Sequence, residues 1–268
     1  MRICLVGVGQ SVPGFQEIWF GVIEKGYKKV LRPDTEVVQT GLKVGLGNPL
    51  DYTNNYYTHL NLGGIVETFI EKEKDGFDAA VVGCFDDWGI KEASAVVDMP
   101  LIGPGLSSML FACQLGHKFA VIVANMPGII PHIEEQIKSY GLQDRLIPNG
   151  VVNDIHAFED TWTKSFADPK FAADGVAEQS KELVAKGADV IVVGCCGIGP
   201  FCSAAGLHKI EVDGRNIPIV DAQMIAMKTA EMAVDIKQGI GLPFTSMPRP
   251  AAEDVKRVRD IFGLPSLT

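Results

Sequence analysis

Short hydrophobic runs rich in valine and isoleucine recur along the chain and alternate with longer amphipathic stretches. Runs of this kind predict buried β-strands, and their alternation with helical patterns is typical of an α/β protein with largely parallel strands. Two stretches, 15–26 and 129–141, place isoleucine or valine on one face and end at a glycine, which predicts helices packed on a sheet. The predicted strands are 2–8, 36–41, 78–84, 119–124, 146–151, 189–194 and 217–220.

The chain contains an internal repeat. Residues 76–84 read Gly-Phe-Asp-Ala-Ala-Val-Val-Gly-Cys, and residues 187–195 read Gly-Ala-Asp-Val-Ile-Val-Val-Gly-Cys, with six of nine positions identical. Each copy follows a polar helical stretch and leads into a turn that contains glycine. Self-similarity at a fixed offset indicates duplicated structural units. We therefore expect two similar α/β halves, each with a strand that ends in Gly-Cys.

The repeat places Cys84 and Cys195 where ligands bind in such folds. In open parallel sheets, ligands lie beyond the carboxyl ends of the strands. Two halves related by a pseudo-twofold axis would bring both cysteines to one cleft. A single Gly-Cys is often only a buried strand end, since cysteine behaves as a small hydrophobic residue. The matched pair favours two reactive thiols over that interpretation.

Each cysteine is expected to precede a turn into a helix, which Asp86 or Asp87 would cap in the first half and Pro200 would open in the second. Backbone N–H groups at a helix start stabilise a thiolate, so lowered thiol pKa values are expected. A thiolate and a thiol on opposite sides of a carbon acid can remove a proton from one face and return one to the other. That chemistry inverts a stereocentre.

Composition narrows the choice of partner. The chain has 268 residues, of which 47% are hydrophobic, and its formal net charge is −9 without a cluster of Lys or Arg. Nucleic acid and anionic membranes are therefore poor partners, and a small molecule is expected. The apolar start, residues 3–8, is too short for a signal-peptide core, and the six cysteines lack disulfide or metal spacing. We expect a cytoplasmic protein with free thiols and no metal site.

No cofactor is expected either. Gly7-x-Gly9 follows the first predicted strand, but position 12 is Val where the dinucleotide fingerprint needs a third glycine.

Three motifs together resemble the aspartate/glutamate/hydantoin racemase superfamily, most of all its hydantoin and allantoin racemase branch. The pattern Asp-x-x-Val-Val-Gly-Cys-Phe-x-Asp-x-Gly spans 78–89, Gly-Cys-Cys-Gly-Ile spans 194–198, and Ile-Pro-Ile-Val-Asp-Ala spans 217–222. The resemblance covers most of the chain in the same order and extends to Gly-Asn-Pro at 47–49.

The resemblance implies two similar Rossmann-like domains of parallel sheet, related by pseudo-twofold symmetry, with the active site in the cleft between them. Residues 1–104 plus 217–268 would form the domain with Cys84, and residues 105–216 the domain with Cys195. It further implies a homo-oligomer.

It also implies a cofactor-independent racemase or epimerase in which Cys84 and Cys195 are the opposing acid and base. Cys196 would then contribute its backbone N–H and not its thiol. The substrate would be held by the amides after each cysteine and by three loops. The residues implied are Phe85, Asp86, Cys196 and Gly197 for the amides, and Gln10, Asn48 and Asn125 for the loops.

Several alternatives stay open at this point. The segments 7–14, 87–89 and 125–126 depart from the family's usual pattern, so the substrate is left open among hydantoin, allantoin and amino-acid-like compounds. Within the superfamily, a maleate isomerase keeps both cysteines, whereas an arylmalonate decarboxylase uses one. From another class, a noncatalytic small-molecule-binding protein could share the fold, but it would have no use for two activated thiols.

Overall fold

The computed structural model describes residues 1–12 and 14–267 and contains two β-sheets. The last residue of the expected first domain, Thr268, lies outside the described residues. The first sheet has the strand order β2-β1-β3-β4, and all three pairings are parallel. Its strands are β1 (Arg2–Gln10), β2 (Glu36–Leu42), β3 (Ala79–Val82) and β4 (Leu101–Ile102).

The second sheet has the order β6-β5-β7-β9-β8, parallel except for the antiparallel pair of β8 and β9. Its strands are β5 (Phe119–Val123), β6 (Leu146–Asn153), β7 (Val190–Val193), β8 (Lys209–Val212) and β9 (Arg215–Asp221). The order of β6-β5-β7-β9 repeats that of β2-β1-β3-β4. The repeated Gly-Cys segments therefore follow β3 and β7, which occupy equivalent interior positions in their sheets.

Helices cover both faces of each sheet, and the two helices predicted at 15–26 and 129–141 are confirmed. The helices are α1 (Phe15–Tyr27), α2 (Asn55–Lys74), α3 (Ile90–Ala93), α4 (Pro104–Leu115), α5 (Ile129–Ser139), α6 (Phe158–Ala167), α7 (Lys170–Ala185), α8 (Gly199–Ala204), α9 (Ala222–Ile240) and α10 (Ala252–Ile261). Short 3₁₀ turns span Pro49–Thr53 and Gln143–Arg145. Over residues 1–12 and 14–267, no helix is long and apolar enough to cross a bilayer.

The apolar runs in β3 and β7 are continuous because both faces of each sheet are buried. Ala80 and Val82 pack with Phe69 of α2 on one face, while Ala79 and Val81 pack against α9 on the other. The four residues of β7 divide in the same way between two core clusters. Burial on both faces removes the alternation of polar and apolar residues that half-exposed strands show.

Two helices carry the chain between the halves. Helix α4 packs its buried face on the second sheet, and α9 packs on β3 and β4 of the first. Ile219, Val220 and Asp221 pair with β7, so the boundary predicted at 217 falls within a strand of the second sheet. The division of the chain into two domains stays a prediction.

In the hairpin of β8 and β9, the predicted strand 217–220 corresponds to β9, whereas β8 has no counterpart among the predicted strands. Asp213 and Gly214 both have positive φ, 50° and 74°, and they join the two strands in a two-residue turn. Asp-Gly is the sequence signal for such turns, because both central residues must adopt left-handed conformations. The hairpin extends the second sheet by one edge strand.

Candidate active site

A cavity of about 470 Å³ lies beyond the carboxyl ends of β1, β3 and β7. Cys84 stands two residues after the end of β3, and Cys195 two residues after the end of β7. Both cysteines are partly buried free thiols, and both line this cavity. The structure thus places the two repeated motifs at one site.

Glycine before each cysteine allows the chain to pass close to the neighbouring strand. A Cβ at Gly83 would lie 3.2 Å from the carbonyl oxygen of Val6. A Cβ at Gly194 would lie 2.4 Å from Cγ1 of Val121 and 3.2 Å from the ring of Phe85. The absence of a side chain therefore lets each strand end dock tightly before the cysteine turns toward the cavity.

Five of the other implied site residues also line the cavity: Gln10, Phe85, Asp86, Cys196 and Gly197. Phe85 does more than present its amide. Its side chain is buried among residues of the second sheet, and its carbonyl accepts a hydrogen bond of 2.8 Å from Gln136 Nε2. The loop after Cys84 is thereby attached to the opposite half.

The expectation for Asn48 and Asn125 is not met, since both are exposed and neither lines the cavity. Asn48 caps the 3₁₀ turn, where its Oδ1 accepts from the Leu50 N–H at 3.1 Å. Its neighbours Gly47 and Pro49 line the cavity instead. Asn125 extends to solvent at a bend between Ala124 and Met126, which line the cavity, and the Met126 N–H donates to the Ala124 carbonyl across this bend at 2.9 Å.

Burial dominates the acidity of both thiols. It raises the pKa of Cys195 to about 12, although hydrogen bonds from the backbone N–H groups of Gly197 and Ile198 lower it. Burial also raises the pKa of Cys84 well above its usual value, and the Asp86 carboxylate raises it further, against one hydrogen bond from the Asp86 N–H. The expectation of lowered thiol pKa values is therefore wrong, since desolvation outweighs the N–H groups.

Asp87 caps a different helix from the one expected. Its carboxylate accepts hydrogen bonds from the N–H groups of Gly105 and Leu106 at the start of α4, and from the Tyr140 hydroxyl at 2.8 Å. A Cβ at Gly103 would lie 2.3 Å from Asp87 Cγ, so glycine makes room for the carboxylate. Burial raises the pKa of Asp87 to about 7. Pro200 stands in the first turn of α8 as predicted.

An aromatic wall, which the sequence did not reveal, forms one side of the cavity. Four of its residues come from α1 and α6, which are distant in sequence: Phe15, Trp19, Phe158 and Trp162. The rings of Trp19 and Trp162 are 4.7 Å apart between centroids, and those of Phe158 and Trp162 are stacked at 5.9 Å. The wall provides a large apolar surface beside the two thiols.

The polar part of the lining is almost entirely neutral. Among the described residues, none that lines the cavity is Lys, Arg or His, and Asp86 is its single carboxylate. Gln39 Oε1, Gln223 Nε2 and Asp86 Oδ1 are buried lining atoms without a hydrogen-bond partner within 1–12 and 14–267. Buried polar atoms of this kind are costly unless a ligand or water completes their hydrogen bonds. The cavity therefore offers acceptors and a donor to an uncharged polar molecule.

The protein has two α/β halves and a matched pair of cysteines at one cavity. The family model for Asp/Glu/hydantoin racemases matches residues 53–230, about two thirds of the chain, so this chain belongs to the Asp/Glu/hydantoin racemase family. A hydantoin racemase from Pseudomonas sp. (strain NS671) is 30% identical over 220 residues, which cover 80% of each chain. Membership of this family supports a racemase, which is an isomerase.

Solved structures agree on the fold. An allantoin racemase from Klebsiella pneumoniae superposes with a TM-score of 0.73 at 18% identity, covering 94% of this chain and 95% of that one. An arylmalonate decarboxylase superposes with a TM-score of 0.55 at 15% identity, covering 87% and 92%. At these identities the likeness is one of fold alone.

Proposed function

We propose that this protein is a cofactor-independent racemase in which Cys84 and Cys195 exchange protons with opposite faces of one carbon. The observation that carries the proposal is the position of two free thiols at equivalent strand ends in the lining of one cavity. Cytoplasmic location and a homo-oligomeric state accompany it as predictions.

The reaction requires one thiolate and one thiol. The thiolate removes the proton from a carbon next to a carbonyl group, and the electron pair left behind is delocalised onto the carbonyl oxygen. The other thiol then donates its proton to the opposite face, so the configuration is inverted and the two cysteines have exchanged roles. Raised thiol pKa values make each thiolate a stronger base toward a weak carbon acid and at the same time lower the fraction of thiolate near neutral pH.

The neutral lining favours an uncharged cyclic amide over a dicarboxylate. Maleate, aspartate and malonates each carry two carboxylates, and no cationic side chain among the described lining residues compensates the loss of their hydration. A cyclic amide such as a hydantoin presents N–H and C=O groups to the unpartnered side-chain atoms of Gln39 and Gln223. The hydantoin racemases among the relatives act on such a ring according to their names.

The aromatic wall favours an apolar substituent on that ring. Burying a benzyl or isobutyl group against Trp19 and Trp162 contributes roughly 1.5–3 kcal/mol of binding free energy. Allantoin, whose substituent is a polar ureido group, gains less there. We therefore place 5-substituted hydantoins with bulky apolar groups first among the candidate substrates.

A substrate panel tests the proposal. Optical rotation is followed for single enantiomers of 5-benzyl-, 5-isobutyl- and 5-methylhydantoin, allantoin and aspartate. Vinyl proton signals are followed for maleate, and release of carbon dioxide is followed for an arylmalonate. We expect racemisation of the hydantoins, with the highest kcat/KM for the bulky substituents. Turnover confined to maleate or to an arylmalonate would contradict the proposal and select the isomerase or decarboxylase. Binding of hydantoins without turnover would select a noncatalytic binding protein.

A pair of substitutions on α1 tests the role of the wall. Phe15 lines the cavity, whereas Ile18, on the same helix, is 61% exposed and does not. Phe15→Ala is expected to raise KM for the benzyl hydantoin about five- to tenfold, because part of the apolar contact is lost, and to leave the methyl compound nearly unchanged. Ile18→Ala is the matched control and should affect neither. Equal effects of Phe15→Ala on both hydantoins would contradict a role of the aromatic wall in substrate selection.

A further inference from the structure

The surroundings of Cys84 include a contact that has no counterpart at Cys195. The Cys84 Sγ lies 3.7 Å from Asp86 Oδ2, within hydrogen-bonding distance for a thiol donor. The Asp86 side chain is only 8% exposed, and its other oxygen, Oδ1, lies 3.4 Å from His132 Nε2 on α5. A carboxylate thus stands between the cysteine and a histidine of the opposite half.

Contacts on both carboxylate oxygens orient the Asp86 side chain. His132 is partly exposed, and its pKa is raised by Asp86 first and by Glu135 of its own helix as well. Asp87 and Tyr140 also face this region. The Asp87 carboxylate, however, accepts hydrogen bonds from backbone N–H groups of α4 and from the Tyr140 hydroxyl. Asp86 therefore retains His132 as its cationic partner and Cys84 as its hydrogen-bond donor.

A carboxylate in contact with a sulfur atom favours the thiol over the thiolate. The thiol can donate its proton to the carboxylate, whereas a thiolate at the same place would be repelled by it. The Cys195 sulfur has the opposite surroundings, since two backbone N–H groups donate to it. The Asp86 charge also raises the pKa of Cys195, but no hydrogen bond joins the two side chains in the described residues. Asp154 raises that pKa less, and its carboxylate accepts a hydrogen bond from Thr161 Oγ1 at 2.8 Å. The pair of cysteines is therefore electrostatically unequal.

We propose that Asp86, anchored by His132, is a positioning residue that holds Cys84 as the thiol, so that Cys195 is the first of the two cysteines to lose its proton. Given the proposed racemase function, the resting enzyme then has Cys195 as its base and Cys84 as its acid. Substrate whose C–H bond faces Cys195 binds productively to that form. The other enantiomer requires the protons to be redistributed first.

Alkylation of the two thiols tests this inference without reference to any substrate. The full chain and its Asp86→Asn variant are treated with iodoacetamide between pH 7 and 10, and the modified cysteines are quantified by mass spectrometry of peptides. Removing a contacting charge lowers a pKa by about 1 unit, which raises the thiolate fraction tenfold. The intrinsic reactivity of the thiolate falls to about a third as its pKa falls, so the Cys84 rate should increase about threefold. Cys195 should change less than Cys84, because it does not contact Asp86.

Asp154→Asn is the matched control, since it removes a buried carboxylate beside the other cysteine. It should leave the Cys84 rate unchanged within a factor of two. Circular dichroism and the thermal transition establish that each variant is folded, and Asp86→Ser provides a second uncharged variant. An unchanged or slower Cys84 rate in folded Asp86→Asn, or an equal acceleration by Asp154→Asn, overturns the inference.

The pH dependence of racemisation is the second readout. The alkaline limb of kcat/KM reports loss of the proton that the acid must donate, so Asp86→Asn should move it down by about 1 pH unit. A merely structural role would lower the rate without moving that limb. Faster labelling of Cys84 in a chain that turns over no substrate would support the role of Asp86 and contradict the proposed function. Racemisation with an unchanged Cys84 labelling rate and an unmoved alkaline limb would support the proposed function and contradict the role of Asp86.

Discussion

The two cysteine sites share the backbone that precedes each cysteine and differ in the groups that contact each sulfur. Both cysteines follow a buried strand and a glycine, and both sulfurs accept the backbone N–H of the residue two positions later, Asp86 or Gly197. At Cys195 a second N–H, from Ile198, also reaches the sulfur. The Cys84 sulfur instead contacts the carboxylate of Asp86. Duplication thus gives the two thiols equivalent positions, and the residues after them set their protonation.

The loops after the cysteines are also held in different ways. The first is tied to the second half by hydrogen bonds, from Gln136 to the Phe85 carbonyl and from Tyr140 to Asp87. The second packs against aromatic rings, since a Cβ at Gly197 would lie 3.3 Å from Trp162. One loop therefore depends on polar contacts that respond to pH, and the other on apolar packing that does not.

Replacing either cysteine by serine has the largest expected effect. Cys84→Ser and Cys195→Ser should each lower racemisation of both enantiomers about 10²–10⁴-fold, because a serine hydroxyl is a far weaker acid than a thiol and hardly ionises to provide the base. Each variant can still exchange the α proton of one enantiomer, since one thiol remains on one face. Polarimetry and proton NMR in deuterated water measure the two effects separately.

Cys113→Ser is the matched control, because Cys113 is a partly buried free thiol that does not line the cavity. It should retain normal activity. Loss of activity in Cys196→Ser, with activity kept in Cys195→Ser, would show that the neighbouring cysteine is the catalytic one.

The glycines before the cysteines give a graded effect on stability. Gly194→Ala should lower the free energy of unfolding by about 1–3 kcal/mol, because the new methyl group overlaps Val121 and approaches Phe85. Gly83→Ala meets only a backbone oxygen at 3.2 Å and should cost less than Gly194→Ala. Urea denaturation of the two variants measures the difference. Equal costs would mean that the two strand ends are packed alike.

The titration of Asp87 should make the free energy of unfolding depend on pH. Its pKa in the folded protein, about 7, lies above the ordinary value of 3.8, so the folded state binds this proton more tightly. The resulting stabilisation is complete below about pH 4 and is lost as the pH rises to 7. Relative to Asp87→Asn, the wild type should therefore lose about 1–3 kcal/mol of unfolding free energy between pH 4.5 and 7.5. Denaturation of both proteins across this range checks it, and a difference independent of pH would contradict it.

Local sequence carried much of the fold and part of the site. The repeated Gly-Cys segments sufficed to predict two parallel-sheet halves, because buried strands are encoded in contiguous apolar runs. The aromatic wall was missed because Trp19 and Trp162 meet only through tertiary packing. Asn48 and Asn125 are exposed while their chain neighbours line the cavity, since sequence proximity to a site does not determine which way a side chain points.

The acidity of the thiols could not be predicted from the turn pattern either. The sequence shows that N–H groups follow each cysteine, but it does not show how completely water is excluded from the sulfur atoms. That exclusion raises both thiol pKa values and outweighs the N–H groups.

Deuterium incorporation during racemisation tests the central claim most directly. A single enantiomer of 5-benzylhydantoin is incubated with the protein in deuterated water, and proton NMR and optical rotation are recorded together for the wild type and the two cysteine-to-serine variants. The account predicts that the wild type loses the C5 proton signal and the rotation in step, and that neither variant racemises the substrate. Racemisation at the wild-type rate by either variant would contradict the assignment of Cys84 and Cys195 as the opposing acid and base.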